Sequence, residues 1–336
     1  MDSLTHIALG ACVGDVLAGK KLGKKAMLIG AFANSIPDFD FVSSFFFDVD
    51  DALLAHRGFT HSFLFAAIVT VGLAYLFRRW FRSTKMTLRS WLLFFGLEIF
   101  LHLFIDAFNT YGIGWFEPFS HYRVSFNTIF VLDPFYSIWL WVAFAVLLIL
   151  KMDHARRKFW LKFGLGLSSI YLFYCILNKF KTDHNIRQML KKQHISYTTY
   201  FTTPAALNNW LWYVVAGDKY GYYIGYYSVF DSKNRIDLFY FPKNESLLNP
   251  IKDNPDLKNL KRFSKGFYTA EKVNDTLVFN DLRFGQMVGW YHPTAKFVFH
   301  YYLEHPRGNR LVVQRARFSG YNKKSLKSLI RRIKGN

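Results

Sequence analysis

Cysteine is nearly absent: Cys12 and Cys175 are the only two in 336 residues. Both lie in apolar segments away from any CxxC pattern. A cysteine-rich disulfide framework and a CxxC metal motif are excluded, and both thiols read as small buried side chains. Acid is also short, with 23 Asp and Glu against 43 Lys and Arg, for a formal net charge of +20. The sequence holds no internal repeat, no low-complexity tract and no zinc-finger, RNP or helix-turn-helix signature. No nucleic acid partner is therefore expected. Membrane lipid is, because basic surface is drawn to anionic headgroups. The first apolar stretch lacks a basic N-terminal region and carries His and Asp, so it reads as mature protein rather than a cleavable leader.

What is abundant is apolar and aromatic side chain, 51% hydrophobic with 37 Phe, 20 Tyr and 9 Trp. These are unevenly spread. Residues 1–180 hold nearly all the long apolar runs, whereas about 15 of the 20 excess positive charges fall in 181–336. This predicts a helical integral membrane domain over 1–180, followed by a smaller, basic, strand-rich α+β domain over 181–336. Six apolar segments are legible: 4–19, 24–36, 60–81, 90–108, 135–150 and 159–177. The last four approach the roughly 20 apolar residues that a span requires. The first two are short, and a partly inserted hairpin stays open for them. Their small residues, among them Gly10, Gly14 and Gly30, would allow close helix packing.

Charge sets the expected orientation. The connections "KKLGKK", "RRWFRSTK" and "KMDHARRKFWLK" are basic, while 37–59 and 109–134 carry one Arg each. Basic connections stay cytoplasmic, so six passes would put the C-terminal domain outside. Beyond residue 180, "KTDHNIRQMLKKQHI" reads as a short helix. The stretch from "TYFTTP" to "FYFPKN" reads as consecutive antiparallel strands. "NPIKDNPDLKNLKRFSKGFYTAEKV" reads as one helix, "TLVFNDLRFGQM" and "AKFVFHYYLEHPRGNRLVVQRARF" as strands, and "NKKSLKSLIRRIKGN" as a basic amphipathic helix.

Ionisable residues in such a domain are costly and call for a role. His6, Asp38, Asp40, His56, His61, His102, Asp106 and Asp133 all fall at the outer ends of their segments, although Lys and Arg alone fixed the orientation. In "HLFID", His102 and Asp106 stand one helical turn apart on one face. Asp38 and Asp40, two apart after Pro37, would point the same way in an extended segment. In "HRGFTH", Gly58 would supply the tight turn bringing His56 toward His61. Imidazole with carboxylate favours zinc, manganese or iron over calcium, and the number of carboxylates suits two or three ions. Asp2 and His121 are weaker candidates. His154 and His184 read as solvated, and His292, His300 and His305 as structural. Asp15 and Glu98 lie toward the middle or cytoplasmic part of their helices, outside the set.

The ordered elements "MDSLTH", "PDFD", "HRGFTHS" and "HLFID" resemble the YdjM family of membrane-bound metal-dependent hydrolases, and "EPFSHYR" and "LDPFY" resemble that family's later outer-loop elements. The resemblance covers residues 1–150 well. It implies a multi-pass protein of the bacterial inner membrane, with His6, Asp38, His56, His61, His102 and Asp106 as metal-site residues and Asp40 and Asp133 less securely. His121 stands where the family often has an acidic residue. The pattern also looks like the trinuclear-zinc phospholipase C and P1 nuclease type of site. The expected function is hydrolysis of a phosphoester or lipid-linked substrate by metal-activated water at the outer membrane face. Asp38 or Asp40 would serve as general base if it is not a ligand, with Asp40 the preferred catalytic residue, and Arg57 would steady the anionic transition state. The alternative is a non-hydrolytic transporter or metal-binding scaffold.

Overall fold

The computed structural model describes residues 1–303 and 322–335. The strand expected past Leu303, and His305 with it, lie outside the described residues. The chain forms two compact units, Met1–Phe45 with Ala55–Ile176, and Phe46–Leu54 with Leu177–Asn336.

The first unit is helical. α1 (Ser3–Leu22) begins at Asp2, whose carboxylate accepts from Thr5 N at 3.0 Å as an N-cap. α2 (Lys25–Ser35) returns antiparallel to it. The two helices meet at their small residues. A Cβ on Gly10 would overlap the Gly30 carbonyl oxygen and stand 2.5 Å from Asn34 Cβ. Only glycine allows that approach. Pro37 opens a 3-10 segment, Pro37–Phe45; α3 (Val49–Ala55) follows, all but its last residue belonging to the second unit. A second 3-10 turn, Phe59–His61, leads through the N-cap Ser62 into α4 (Phe63–Trp80). α5 (Leu88–Asp106) is capped by Thr87, and α6 (Pro134–Ile149) by Asp133, which accepts from Phe135 N. α7 runs over Arg157–Lys192.

Six apolar segments are expected from the sequence, the first two short; among the described residues three helices, α4, α5 and α7, are long and apolar enough to cross a membrane, and α6 is a shorter apolar helix. α2 fails on length: 11 residues rise about 16 Å, half of a hydrocarbon core of about 30 Å. α1 is long enough, but His6, Asp15, Lys20 and Lys21 interrupt its apolar run. In α4 only Ala74 and Phe77 are buried. Ala66, Val69 and Leu73 are partly buried against the core, while Phe63, Leu64, Ile68, Val71, Tyr75 and Leu76 are exposed, a surface suited to lipid rather than to water. Phe77 packs with Trp91, Phe94 and Phe95 of α5 in an aromatic core. α7 also differs from expectation. It does not break after residue 177, because no Gly or Pro lies between Gly166 and its end.

The second unit carries two antiparallel sheets. β1 (Thr199–Pro204), β2 (Leu211–Gly217), β3 (Gly221–Ser228) and β4 (Leu238–Pro242) form a meander in the expected order. Asp218 turns β2 into β3 by accepting from Tyr220 N and Gly221 N. The helix expected over the following stretch is shorter: α8 covers only Pro255–Phe263. The chain then passes through left-handed Lys265 and Gly266 into β5 (Tyr268–Val273). β5 pairs with β6 (Thr276–Gln286), and β6 with β7 (Phe297–Tyr302). α9 (Lys323–Ile333) is the expected basic amphipathic helix, closed at its start by an Asn322–Ser325 capping box.

The Gly10 contact gives a direct test. Gly10→Ala must push α1 off α2, and is expected to destabilise the helical unit by about 1–3 kcal/mol, read as a lower melting temperature in detergent. Ala11→Gly, at a buried position in the same helix, serves as a comparison that adds no volume, losing backbone order and one packed methyl at a cost of about 1–2 kcal/mol.

Candidate metal centre

Four elements deliver side chains to one buried point. α5 presents His102 and, one turn later, Asp106. α1 presents His6. The 3-10 segment after Pro37 presents Asp38, and the turn before α4 presents His61. Asp38, His61, His102 and Asp106 each offer one donor atom, all within 4.8 Å of one another and all buried.

The distances have a pattern. His61 Nε2 and His102 Nε2 are 3.1 Å apart. His61 Nε2 lies 3.7 Å from Asp38 Oδ1 and 3.5 Å from Asp106 Oδ2, and His102 Nε2 lies 3.6 Å and 3.8 Å from the same two oxygens. Donors about 2.0–2.1 Å from a tetrahedral zinc stand about 3.3 Å from one another. These five separations are close to the edges of such a tetrahedron.

The ring orientations agree with it. His102 Nδ1 is 2.6 Å from the Asn34 carbonyl oxygen, which only accepts, so Nδ1 donates and Nε2 carries a lone pair. His61 Nδ1 faces Asp40 Oδ2 at 3.3 Å, which leaves its Nε2 as an acceptor too. Two imidazole lone pairs then face each other at 3.1 Å. That contact is repulsive unless a cation or an extra proton lies between them. His6 adds a third such ring: its Nδ1 donates to Asn34 Oδ1 at 3.1 Å and its Nε2 faces Asp106 Oδ1 at 3.1 Å. It stacks on His102 with ring centroids 3.8 Å apart. Asp106 Oδ2 is buried and has no hydrogen-bond partner among the described residues; Arg57 Nη2 lies 3.2 Å from it, and the Met1 amino group contacts the other oxygen. The donor set fits a divalent ion of the zinc type, whose identity the geometry leaves open.

Asp38 and Asp40 do not point the same way as expected. The segment is 3-10 helical rather than extended, and three residues per turn separate positions two apart. Asp38 faces His61 Nε2 while Asp40 faces His61 Nδ1, so the pair flanks one ring. Asp40 also accepts from His56 Nδ1 at 2.7 Å, Arg57 N at 2.7 Å and Thr60 Oγ1 at 3.0 Å. Burial alone would raise the Asp38 carboxyl; where the surrounding imidazoles of His61, His102 and His6 carry a proton, they hold it well below the usual carboxylate range instead. The Asp40 carboxyl is likewise held low against burial, by His56 and His61. The turn uses both residues: Arg57 takes the left-handed conformation at φ 59, and Gly58, at φ −87 and ψ −118, lies outside the main regions allowed to residues with a Cβ.

The other sequence candidates separate from this group. His56 is half-buried and paired with Asp40. Asp2 is the cap of α1. His121 is exposed on Glu117, and His300 Nδ1 bonds the Phe297 carbonyl at 3.1 Å. Asp133 is fully buried as the cap of α6 and accepts from Tyr171 Oη at 3.0 Å. Residues absent from the sequence-based set hold the group in place. Ser3 donates to Asp38 Oδ2 at 2.7 Å, Asn34 serves two histidines, and Arg123 Nη2 donates to the His56 carbonyl at 2.9 Å. None belongs to a metal-ligand residue class, so no ligand spacing could have found them.

The geometry defines a helical membrane protein with a buried His/Asp centre. Its particular kinship follows from residues 1–182, which match the family of YdjM inner membrane proteins; that is more than half of the chain, and the chain belongs to this family. It is 34% identical to inner membrane protein YbcI of Escherichia coli (strain K12) over 122 residues, 36% of this chain and 69% of YbcI. It is 33% identical to the uncharacterized protein YfhP of Bacillus subtilis (strain 168) over 150 residues, 41% of this chain and 43% of YfhP, so it spans less than half of that relative. No solved structure matches.

Asp133 yields a pH prediction. Burial pushes its carboxyl up to about 6, against the hydrogen bonds from Tyr171 and the α6 amides. An unfolded Asp titrates near ~3.9, so the folded state holds this proton more tightly. The group favours folding below about pH 4, and that advantage of about 2–3 kcal/mol fades as pH rises through 6. Asp133→Asn, which still caps the helix, is expected to flatten the melting temperature between pH 4 and 7.

Proposed function

We propose that this chain is a membrane-bound metal-dependent hydrolase of a phosphoester, in a lipid or lipid-linked substrate reached from the outer membrane face. The observation carrying the reading is the pair of facing Nε2 lone pairs of His61 and His102 inside a buried four-donor group. A divalent ion held there supplies Lewis acidity and a water acidified toward neutral pH.

The chain's own residues supply the rest. His61, His102, Asp38 and Asp106 hold the ion, with His6 at the far oxygen of Asp106. Arg57 is buried, and its Nη2 donates to the Met1 carbonyl at 2.8 Å. Its Nε and Nη1 have no hydrogen-bond partner among the described residues, and the guanidinium lies 5.1 Å from the Tyr111 ring centroid. A buried guanidinium with spare N–H groups beside such a centre is suited to the anionic oxygens of a phosphoester and of its transition state. His56 is the proton carrier: Asp40 fixes its Nδ1–H, and Nε2 is left to take a proton from water or return it to the leaving oxygen. Asp40 thereby acts through His56 and His61. The alternating basic connections support the outward orientation, and the +20 net charge supports attraction to anionic lipid.

Elemental analysis of detergent-purified protein tests the reading. Stoichiometric zinc, manganese or iron is expected in the wild type, and its loss in a His102→Ala, Asp106→Ala double variant. No metal in the wild type after reconstitution would overturn the hydrolase. Metal without turnover of phospholipid or phosphoester substrates would mark a closed structural site instead. Given turnover, Arg57→Lys is expected to lower kcat/KM about 100-fold with metal content unchanged, since one point charge replaces a planar fork of donors.

A further inference from the structure

Glu98 lies one turn before His102 on α5 and is fully buried. Among the described residues no Lys, Arg or His pairs with it, and its Oε1 has no hydrogen-bond partner. A carboxyl group in that position is costly in the middle of an apolar helix. Its contacts point to one task. Asn34 Nδ2 donates to the Glu98 carbonyl oxygen at 2.7 Å and to Glu98 Oε2 at 3.1 Å. Both hydrogens of the Asn34 amide are therefore taken by Glu98, which turns Asn34 Oδ1 toward His6 Nδ1. With the amide turned over, Nδ2 would face the His6 ring and demand the opposite tautomer, whose Nε2–H would be donated to Asp106 Oδ1 and could not serve an ion. The main-chain carbonyl of the same Asn34 accepts from His102 Nδ1. The fold leaves room for the arrangement: a Cβ on Gly30 would stand 2.8 Å from Glu98 Oε1.

We infer that Glu98 and Asn34 are positioning residues of the centre, Glu98 locking the Asn34 amide so that Asn34 sets the tautomer of His6 and fixes the ring of His102. The consequence for metal affinity rests on the hydrolase reading above; the tautomers do not. Partners that orient metal-bound histidines in this way typically contribute about 10- to 100-fold to affinity.

The test is ring ¹⁵N NMR of histidine-labelled, metal-free protein in detergent, with His6 and His102 assigned by single His→Asn variants and metal affinity measured in parallel. In the wild type both rings are expected as Nδ1–H tautomers. Asn34→Leu removes the amide but keeps the main-chain carbonyl, so His6 is expected to become a tautomer mixture while His102 is unchanged. Zinc affinity is expected to fall about 10- to 100-fold. Glu98→Gln, which retains an acceptor oxygen, is expected to behave close to wild type, and Glu98→Leu to shift His6 in the direction of Asn34→Leu. His6 as Nε2–H in the wild type, or unchanged His6 shifts and zinc affinity in a folded Asn34→Leu protein, would overturn the inference. Should Asn34→Leu fail to fold, unchanged His6 shifts and affinity in Glu98→Leu would do the same. A wild type that binds no metal yet shows the Nδ1–H rings removes the hydrolase and leaves this assignment standing.

Discussion

The buried centre of the helical unit follows from one electrostatic conflict. His61 and His102 present unprotonated nitrogens to each other at 3.1 Å, with carboxylate oxygens of Asp38 and Asp106 on either side. Acceptors do not gather in a buried space unless something positive is meant to join them. Each neighbouring device serves to maintain that arrangement. Asp40 holds the back of one ring and the Asn34 carbonyl the back of the other. Each ring has its outer nitrogen satisfied and its inner nitrogen free.

Holding three imidazoles to that geometry demands close backbones. The glycine contact between α1 and α2 brings His6 and Asn34 within hydrogen-bond reach, and the i, i+4 spacing of α5 places Glu98, His102 and Asp106 in one file. The 3-10 segment after Pro37 supplies Asp38 and Asp40 to opposite sides of His61. A strand or an α-helix would present them on a different pitch, so the short tight helix decides the site as much as the residue types do.

Much of this was legible in the sequence, for a physical reason. Charged and imidazole groups are conspicuous in apolar surroundings, and His6, Asp38, His61, His102 and Asp106 could be collected on that ground alone. The strand order of the meander was legible because its turns carry Asp and Gly. Asn34 was invisible: a neutral amide in a helix has no spacing rule, and its importance lies in which hydrogen bonds its neighbours leave open. Glu98 is conspicuous as a carboxyl in an apolar helix, but its place one turn before His102 gives no sign by itself of the Asn34 contact through which it reaches the site. The length of α7 is not legible because the polarity changes near residue 177 while the backbone, free of Gly and Pro from 167 to 192, carries the helix on.

All five of the converging donors lie within the first 106 of 336 residues. α6, α7 and both sheets contribute none of them. As the chain grows from its N-terminus, the full complement of ligands exists once α5 has been made, before the first strand has been synthesised. The donors that could hold an ion and the strand-rich unit thus belong to separate stretches of the chain, and the support that reaches back past α5 comes from Arg123 on the His56 carbonyl.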